Sequence, residues 1–154
     1  MSQALFDTPL GPIGLRWEGG TLTGVDLEPD PADQRAGDTP PMAVIRQLGQ
    51  YFADGQAGFD LVVATTGTQF QQRVWALMRA IPAGETRTYG SIARELGSAP
   101  RAVGQACRAN PLPIVVPCHR VVAAQGLGGF AGDTSGRRFA VKRWLLRHEG
   151  VQVP

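Results

Sequence analysis

Residues 88–109 read TYGSIARELGSAPRAVGQACRA, and this stretch decides how the chain folds. Thr88 is a helix N-cap residue, because its hydroxyl oxygen accepts a backbone N–H that the first helical turn leaves unpaired. A short helix, Tyr89–Leu96, follows, and Gly97 closes it, since glycine enters the left-handed conformation without a Cβ penalty. Ser98-Ala99-Pro100 opens a second helix, Arg101–Ala109, which ends at Asn110-Pro111 because the residue before a proline is disfavoured in the helical region. Two short helices joined by a glycine-containing turn form a helix-turn-helix pattern. Val103 and Cys107 of the second helix face a core, and Arg101, Ala102, Gln105, Arg108 and Ala109 share its outer face. Small residues flanked by arginines suit a helix lying close against a phosphate-walled groove. They suit equally a helix packed on a neighbour through its alanines.

Working outward, Gly67-Thr68-Gln69-Phe70-Gln71 starts another helix, with Thr68 and Gln71 at capping-box spacing and Phe70, Val74, Leu77 and Met78 as its apolar stripe. Further upstream, Gly14–Trp17 and Thr21–Leu27 are β-prone runs separated by the turn Glu18-Gly19-Gly20. Pro29–Pro41 reads as a loop, Met42–Phe52 as a helix on its apolar spacing, and Phe59–Val63 as a third strand. Downstream, Pro113–Pro117 is an apolar, strand-like run. Gly126–Gly136 is a glycine-rich loop, and Arg137–His148 is a last helix with Ser135 as cap and Gly150 as stop. The expectation is an α/β chain. A small N-terminal domain over residues 1–63 carries a three-stranded sheet with one helix. A mostly helical C-terminal domain over residues 67–154 carries the helix-turn-helix.

Composition bounds the function. In 154 residues, 43% are hydrophobic and 18% charged, which suits a globular core rather than disorder. No run approaches the ~18 apolar residues of a membrane span. The N-terminus lacks a basic start before an apolar run, so no secretory signal is expected. Two cysteines make no disulfide framework, and the reading is a soluble cytoplasmic protein with reduced thiols. Residues 1–60 hold three Arg and nine Asp or Glu, a net −6, whereas residues 61–154 hold twelve Arg or Lys and four Asp or Glu, a net +8. A basic half in which nearly every cation is arginine suggests a polyanion partner, against the plainer reading of a solvated basic face.

The reactive residues lie in Val115–Val122, VVPCHRVV. Structural zinc needs four ligands, and Cys107, Cys118, His119 and His148 lack paired-ligand spacing, so no metal is expected. An inert buried cysteine beside a satisfied histidine is the plain alternative. Against it, Pro117 fixes the backbone before Cys118, and His119 and Arg120 supply positive charge that would lower a thiol pKa from its usual ~8.5. Glu149, closing the last helix, is placed to orient the imidazole, which completes a Cys-His-carboxylate relay. Adjacent residues on a strand point to opposite faces, so Cys118 and His119 need a turn or a bridging water to act together.

The ordered set GTQFQQRVW (67–75), PAGETRTY (82–89), RAVGQA (101–106), Asn110-Pro111, PCHRVV (117–122) and LLRHEG (145–150) resembles the O6-alkylguanine-DNA alkyltransferases. The likeness spans roughly residues 67–150. It implies a ribonuclease H-like N-terminal part and a suicide DNA repair protein acting on double-stranded DNA that carries O6-alkylguanine, with O4-alkylthymine as a further substrate. By this resemblance Cys118 is the alkyl acceptor, His119 its base through a water, and Glu149 the group that orients His119. Tyr89 donates a proton and helps turn the nucleotide out, and Asn110 shapes the hinge. Arg101 enters the base stack. Thr88, Ala102, Gln105 and Arg108 meet DNA through the minor groove. Cys107, Pro113, Val121, Phe130 and Ala131 border the base pocket. The implied protein is monomeric, needs no cofactor, and is nucleoid-associated when on DNA. Three departures stand out: a longer loop at 126–139, Phe130-Ala131 where some members have Tyr-Ser, and no cysteine ligands for the N-terminal zinc of some relatives. A non-enzymatic damage-binding protein and a cysteine hydrolase are the competing readings. The first lacks an acceptor cysteine, and the second leaves the basic half unexplained.

Overall fold

The structure, a computed structural model, describes residues 2–30, 38–128 and 136–153. The chain divides into two compact units, Met1–Thr66 with Pro111–Pro113, and Gly67–Asn110 with Ile114–Pro154.

The first unit is an antiparallel meander of β1 (Ser2–Thr8), β2 (Gly11–Glu18) and β3 (Thr21–Asp26), in that order, followed by α1 (Met42–Ala53). Along β2, Ile13, Leu15 and Trp17 alternate into the core, the period-2 pattern of a sheet with one buried face. The β1–β2 turn is tied by Thr8, whose hydroxyl donates to the Gly11 carbonyl at 2.7 Å and accepts from the Leu10 N–H at 3.0 Å. Val44, Leu48 and Tyr51 form the buried stripe of α1.

The third strand is not the one expected at Phe59–Val63. That segment contributes only an isolated parallel bridge from Val63 to Leu22. Its Asp60 N–H is taken at 2.9 Å by the Gln47 side chain, which also bonds the Asp60 carboxylate, so the backbone there is diverted from a ladder. β1 takes the place in the sheet instead. It is an edge strand of mostly half-buried residues, and it lacks the clean alternation that marks β2.

The second unit begins with α2 (Gln69–Arg79), whose capping box forms as its spacing implies: Thr68 accepts from the Gln71 N–H at 3.1 Å, and the Gln71 side chain accepts from the Thr68 N–H at 2.9 Å. Val74, Trp75 and Met78 face the core, and the indole N–H of Trp75 donates to the Ala106 carbonyl at 2.8 Å. Gly67 is required here, because a Cβ would stand 2.6 Å from the Trp75 ring. The two-residue strand β4 (Arg87–Thr88) leads into α3 (Tyr89–Leu96), which Thr88 caps through the Ser91 N–H and Gly97 closes at φ 64°. α4 (Pro100–Arg108) follows with proline in its first turn. The last elements are a 3₁₀ turn Cys118–Arg120, β5 (Val121–Val122) and α5 (Arg137–His148).

The expected strand at Pro113–Pro117 does not form. Ile114 sits at φ 76°, a conformation that costs a β-branched residue steric energy and breaks any extended run. The chain turns through Val115 and Val116 directly into the 3₁₀ turn. Phe130, Ala131 and Ser135 lie outside the described residues, as does much of the expected loops; the residue capping α5 is Gly136, with no side-chain cap bond.

Candidate active site

A parallel ladder of two residues assembles the site. β4 pairs with β5, Arg87 with Val121 and Thr88 with Val122. Tyr89 follows β4 directly, and the Cys118–Arg120 turn directly precedes β5, so thirty residues of chain close on one spot. The turn answers the geometric objection to adjacent residues working together. In a 3₁₀ helix neighbouring side chains diverge by about 120° rather than by the half-turn of a strand.

Every group in the turn is buried. Cys118 is 5% exposed, and His119 is sealed completely. The imidazole Nε2 lies 2.7 Å from Glu149 Oε2, across thirty positions of sequence. Glu149 sits one residue past α5 in a helical conformation, and Gly150 at φ 93° then turns the chain away, which leaves the carboxylate facing inward. Arg120 completes the set: its Nε and Nη2 donate to the two Glu149 oxygens at 2.8 and 3.0 Å, and its Nη1 donates to the Ile81 carbonyl at 2.6 Å. This fork-on-carboxylate pair is among the strongest charge-assisted contacts available to a side chain.

The electrostatics differ from the sequence expectation. Burial pushes the Cys118 thiol up to about 11, opposed by a hydrogen bond from the Asn110 side chain and by the positive charge of Lys142. Burial likewise holds His119 below its ordinary value despite the Glu149 bond, so the imidazole is neutral. Neither His119 nor Arg120 supplies the free positive charge expected of it, because the first is uncharged and the second is committed to Glu149. With Nε2 donating to Glu149, the neutral tautomer leaves a lone pair on Nδ1. That atom is buried with no hydrogen-bond partner among the described residues. The residue next to the thiol thus carries a buried acceptor with its hydrogen-bonding capacity unused among the described residues.

A neutral buried histidine also fixes a pH dependence. The unfolded chain takes up a proton below the ordinary value of 6.5, whereas the folded state resists it. Stability is therefore present above that value and is lost as the pH falls, at up to about 1.4 kcal/mol per pH unit. Urea unfolding between pH 7 and 5 is expected to show this slope, and His119→Phe to flatten it.

Tyr89 and Asn110 frame the thiol. Burial first, then proximity to Cys107 and Cys118, raises the Tyr89 phenol well above its ordinary range, so its proton is held firmly. Asn110 Nδ2 donates to the Val116 carbonyl at 2.8 Å, tying the end of α4 to the segment that delivers Cys118. Cys107 is half-buried with its sulfur 3.5 Å from that of Met78, and burial pushes its thiol up. Arg101, Gln105 and Arg108 are exposed on α4, Ala102 is half-buried, and Thr88 is occupied as a cap. Val121 is buried in β5, and Pro113 belongs to the first unit. The sequence reading passed over Lys142, which is fully buried and donates to the Val121 carbonyl at 2.7 Å. Its signal was the rarity of its type, for it is the chain's one lysine. Among the described residues no cluster of three or more His, Cys, Asp or Glu is placed to hold a metal, and no helix is long and apolar enough to cross a membrane.

One helical unit carries a buried thiol, a neutral imidazole and a compensated carboxylate, the kinds of group that nucleophilic group transfer uses. Comparison with known proteins makes the class specific. Residues 69–151 match the family described as 6-O-methylguanine DNA methyltransferase, DNA binding domain. The methylated-DNA–protein-cysteine methyltransferase of Mycobacterium tuberculosis is 43% identical over 157 residues, covering 97% of this chain and 92% of that protein. The protein of that name from Methanosarcina acetivorans is 40% identical over 162 residues, covering 97% and 99%. The crystal structure of Mycobacterium tuberculosis OGT in complex with DNA superposes with a TM-score of 0.82 at 39% identity, covering 96% of this chain and 92% of that one. The chain belongs to the 6-O-methylguanine DNA methyltransferase family.

Proposed function

We infer that this protein repairs DNA by moving the alkyl group of O6-alkylguanine onto its own Cys118, once per molecule. The observation that carries the assignment of roles is the buried Nδ1 of a neutral His119, without a hydrogen-bond partner among the described residues, whose other nitrogen is held by Glu149. It gives the thiol proton a destination, reached through one water. The sulfur attacks the alkyl carbon, the S–C bond forms as the C–O6 bond breaks, and guanine departs with the electron pair. Tyr89, whose proton burial retains, donates to the departing base, and the proton on His119 restores the balance. The product is a thioether, which water does not cleave under mild conditions, so the reaction stops after one event.

The alkylated oxygen lies inside a base pair, out of reach of a buried thiol, so the nucleotide must be turned out at a cost of a few kcal/mol. We read α3 and α4 as a helix-turn-helix whose α4 lies in the minor groove. The exposed Arg101, Gln105 and Arg108 beside small alanines support this reading, because a narrow groove admits a helix of low relief. Arg101 fills the stack in place of the flipped base. The three-strand meander with α1 is read as a ribonuclease H-like unit, and the protein as cytoplasmic and monomeric, nucleoid-associated while on DNA.

Incubation with duplex DNA carrying O6-methylguanine, followed by peptide mass mapping, is expected to show one CH2 unit on Cys118 in stoichiometric yield. Unmodified Cys118 with tight lesion binding would establish a damage-binding protein instead. In the same assay Arg101→Ala is expected to slow transfer from duplex DNA more than from the free base; equal losses would remove the flipping role.

A further inference from the structure

Fourteen of the fifteen basic residues are arginine, and the single lysine, Lys142, is fully buried. Lysine burial is costly, and here burial lowers its pKa to about 8 against the opposing pull of Cys118 and Cys107. Lys142 lies on α5, which packs against the Cys118–Arg120 turn. Its ammonium donates to the carbonyl of Val121, the residue immediately after that turn, at 2.7 Å. The same ammonium stands 5.7 Å from the centroid of the Tyr89 ring, within cation–π range. Two anchors therefore hold one cation, the Tyr89 ring and the carbonyl of the residue that follows the Cys118 turn.

The other charges nearby are already matched. Arg120 spends its fork on Glu149, and His119 is neutral. Among the described residues, the titratable groups facing Lys142 are Tyr89 from α3, Cys107 from α4, and Cys118 and His119 from the turn. As the thiol proton leaves toward His119, negative charge develops on sulfur in a water-poor site, where electrostatic effects are strong.

We propose that Lys142 is a positioning residue for the transfer, its anchored ammonium serving as the counter-charge of the Cys118 thiolate. The inference rests on Cys118 being the acceptor, as inferred under the proposed function. It separates the work of the relay: His119 takes the proton, Glu149 orients His119 while burial and the Arg120 charge keep it neutral, and Lys142 stabilises the charge left behind. Arginine, with its broad planar head, keeps the charge at this position but not the shape.

Because Lys142 is the only lysine, labelling the full chain with carbon-13 lysine gives one side-chain signal to titrate. The first proton lost belongs to the thiol–amine pair rather than to either group alone. Where the thiolate–ammonium form is populated, Lys142 keeps its charge to higher pH in the free protein than after iodoacetamide has capped Cys118, as mapped by mass. The expected result is a fall in the midpoint for ammonium loss of about one pH unit or more on capping, a tenfold change in the equilibrium. An unchanged midpoint overturns the proposal. In a second arm, the pH profile of Cys118 alkylation by iodoacetamide moves upward in Lys142→Met. Reactivity at neutral pH falls about tenfold for each pH unit the profile moves, and Lys142→Arg recovers part of it. A folded Lys142→Met variant with the wild-type profile also overturns the proposal; if that variant does not fold, the wild-type titration decides. Neither arm uses DNA, so a failure of the alkyl-transfer reading and a failure of this one give different results.

Discussion

Cys118→Ser is expected to abolish alkyl acceptance while leaving the fold and the binding of damaged DNA in place. The substitution exchanges one atom in a side chain that is 5% exposed. The backbone of the turn is fixed by bonds it does not touch, Cys118 N–H to Val116 and Arg120 N–H to Pro117, at 2.8 and 3.0 Å. Asn110, which bonds the thiol, bonds a hydroxyl equally well, so the stability cost stays within about 1–2 kcal/mol. The chemistry changes far more. A hydroxyl holds its proton through any pH at which the protein is folded, and a neutral His119 is too weak a base to remove it. Loss of a nucleophile that works with its base as a unit lowers the rate by on the order of 10⁴-fold or more. Single-turnover transfer from lesion DNA, read as intact protein mass, checks the rate, and a gel shift on the same DNA checks binding. Alkyl transfer that persists at another residue in the variant would show that Cys118 is not the acceptor.

What could be read in the chain beforehand follows the range of the forces involved. The α2 cap at Thr68 and Gln71, the α3 cap at Thr88 and its stop at Gly97 are decided within four residues, and each forms as its spacing implies. The expected third strand at Phe59–Val63 failed for a long-range reason, since a Gln47 side chain on α1 captured the Asp60 backbone. The β4–β5 ladder, which brings Tyr89 to the Cys118 turn, is two residues long on each side and leaves no pattern to read. At the site, the position of Glu149 at the close of the last helix already suggests its pairing with His119, and the family likeness implies the same role. The structure joins them at 2.7 Å. The charge state was misjudged. A sequence lists cations near a thiol, but burial and partner choice decide which of them act, and these removed His119 and Arg120 and left Lys142.

That redistribution makes Glu149 the residue on which the site's stability turns. Glu149→Gln keeps the shape but removes the charge that balances Arg120, whose three side-chain bonds include two to this carboxylate. Glu149 is 1% exposed and Arg120 8%, so water does not enter to compensate. Deleting one partner of a buried pair costs about 3–5 kcal/mol, because the other charge stays desolvated. In a chain of this size that corresponds to a fall in melting temperature of roughly 10 °C. The amide also donates where the carboxylate only accepted. Its NH2 facing His119 Nε2 favours the tautomer with the proton on Nδ1, the nitrogen we propose takes the thiol proton through a water. Transfer is therefore expected to slow even at temperatures where the variant is fully folded. Combining Glu149→Gln with Arg120→Met separates the two effects: removing the stranded cation restores part of the stability, as a coupled pair requires. Transfer stays slow, because the carboxylate that orients His119 is still missing. Equal and additive losses in the two single variants, with no recovery in the double, would show that Arg120 and Glu149 act independently.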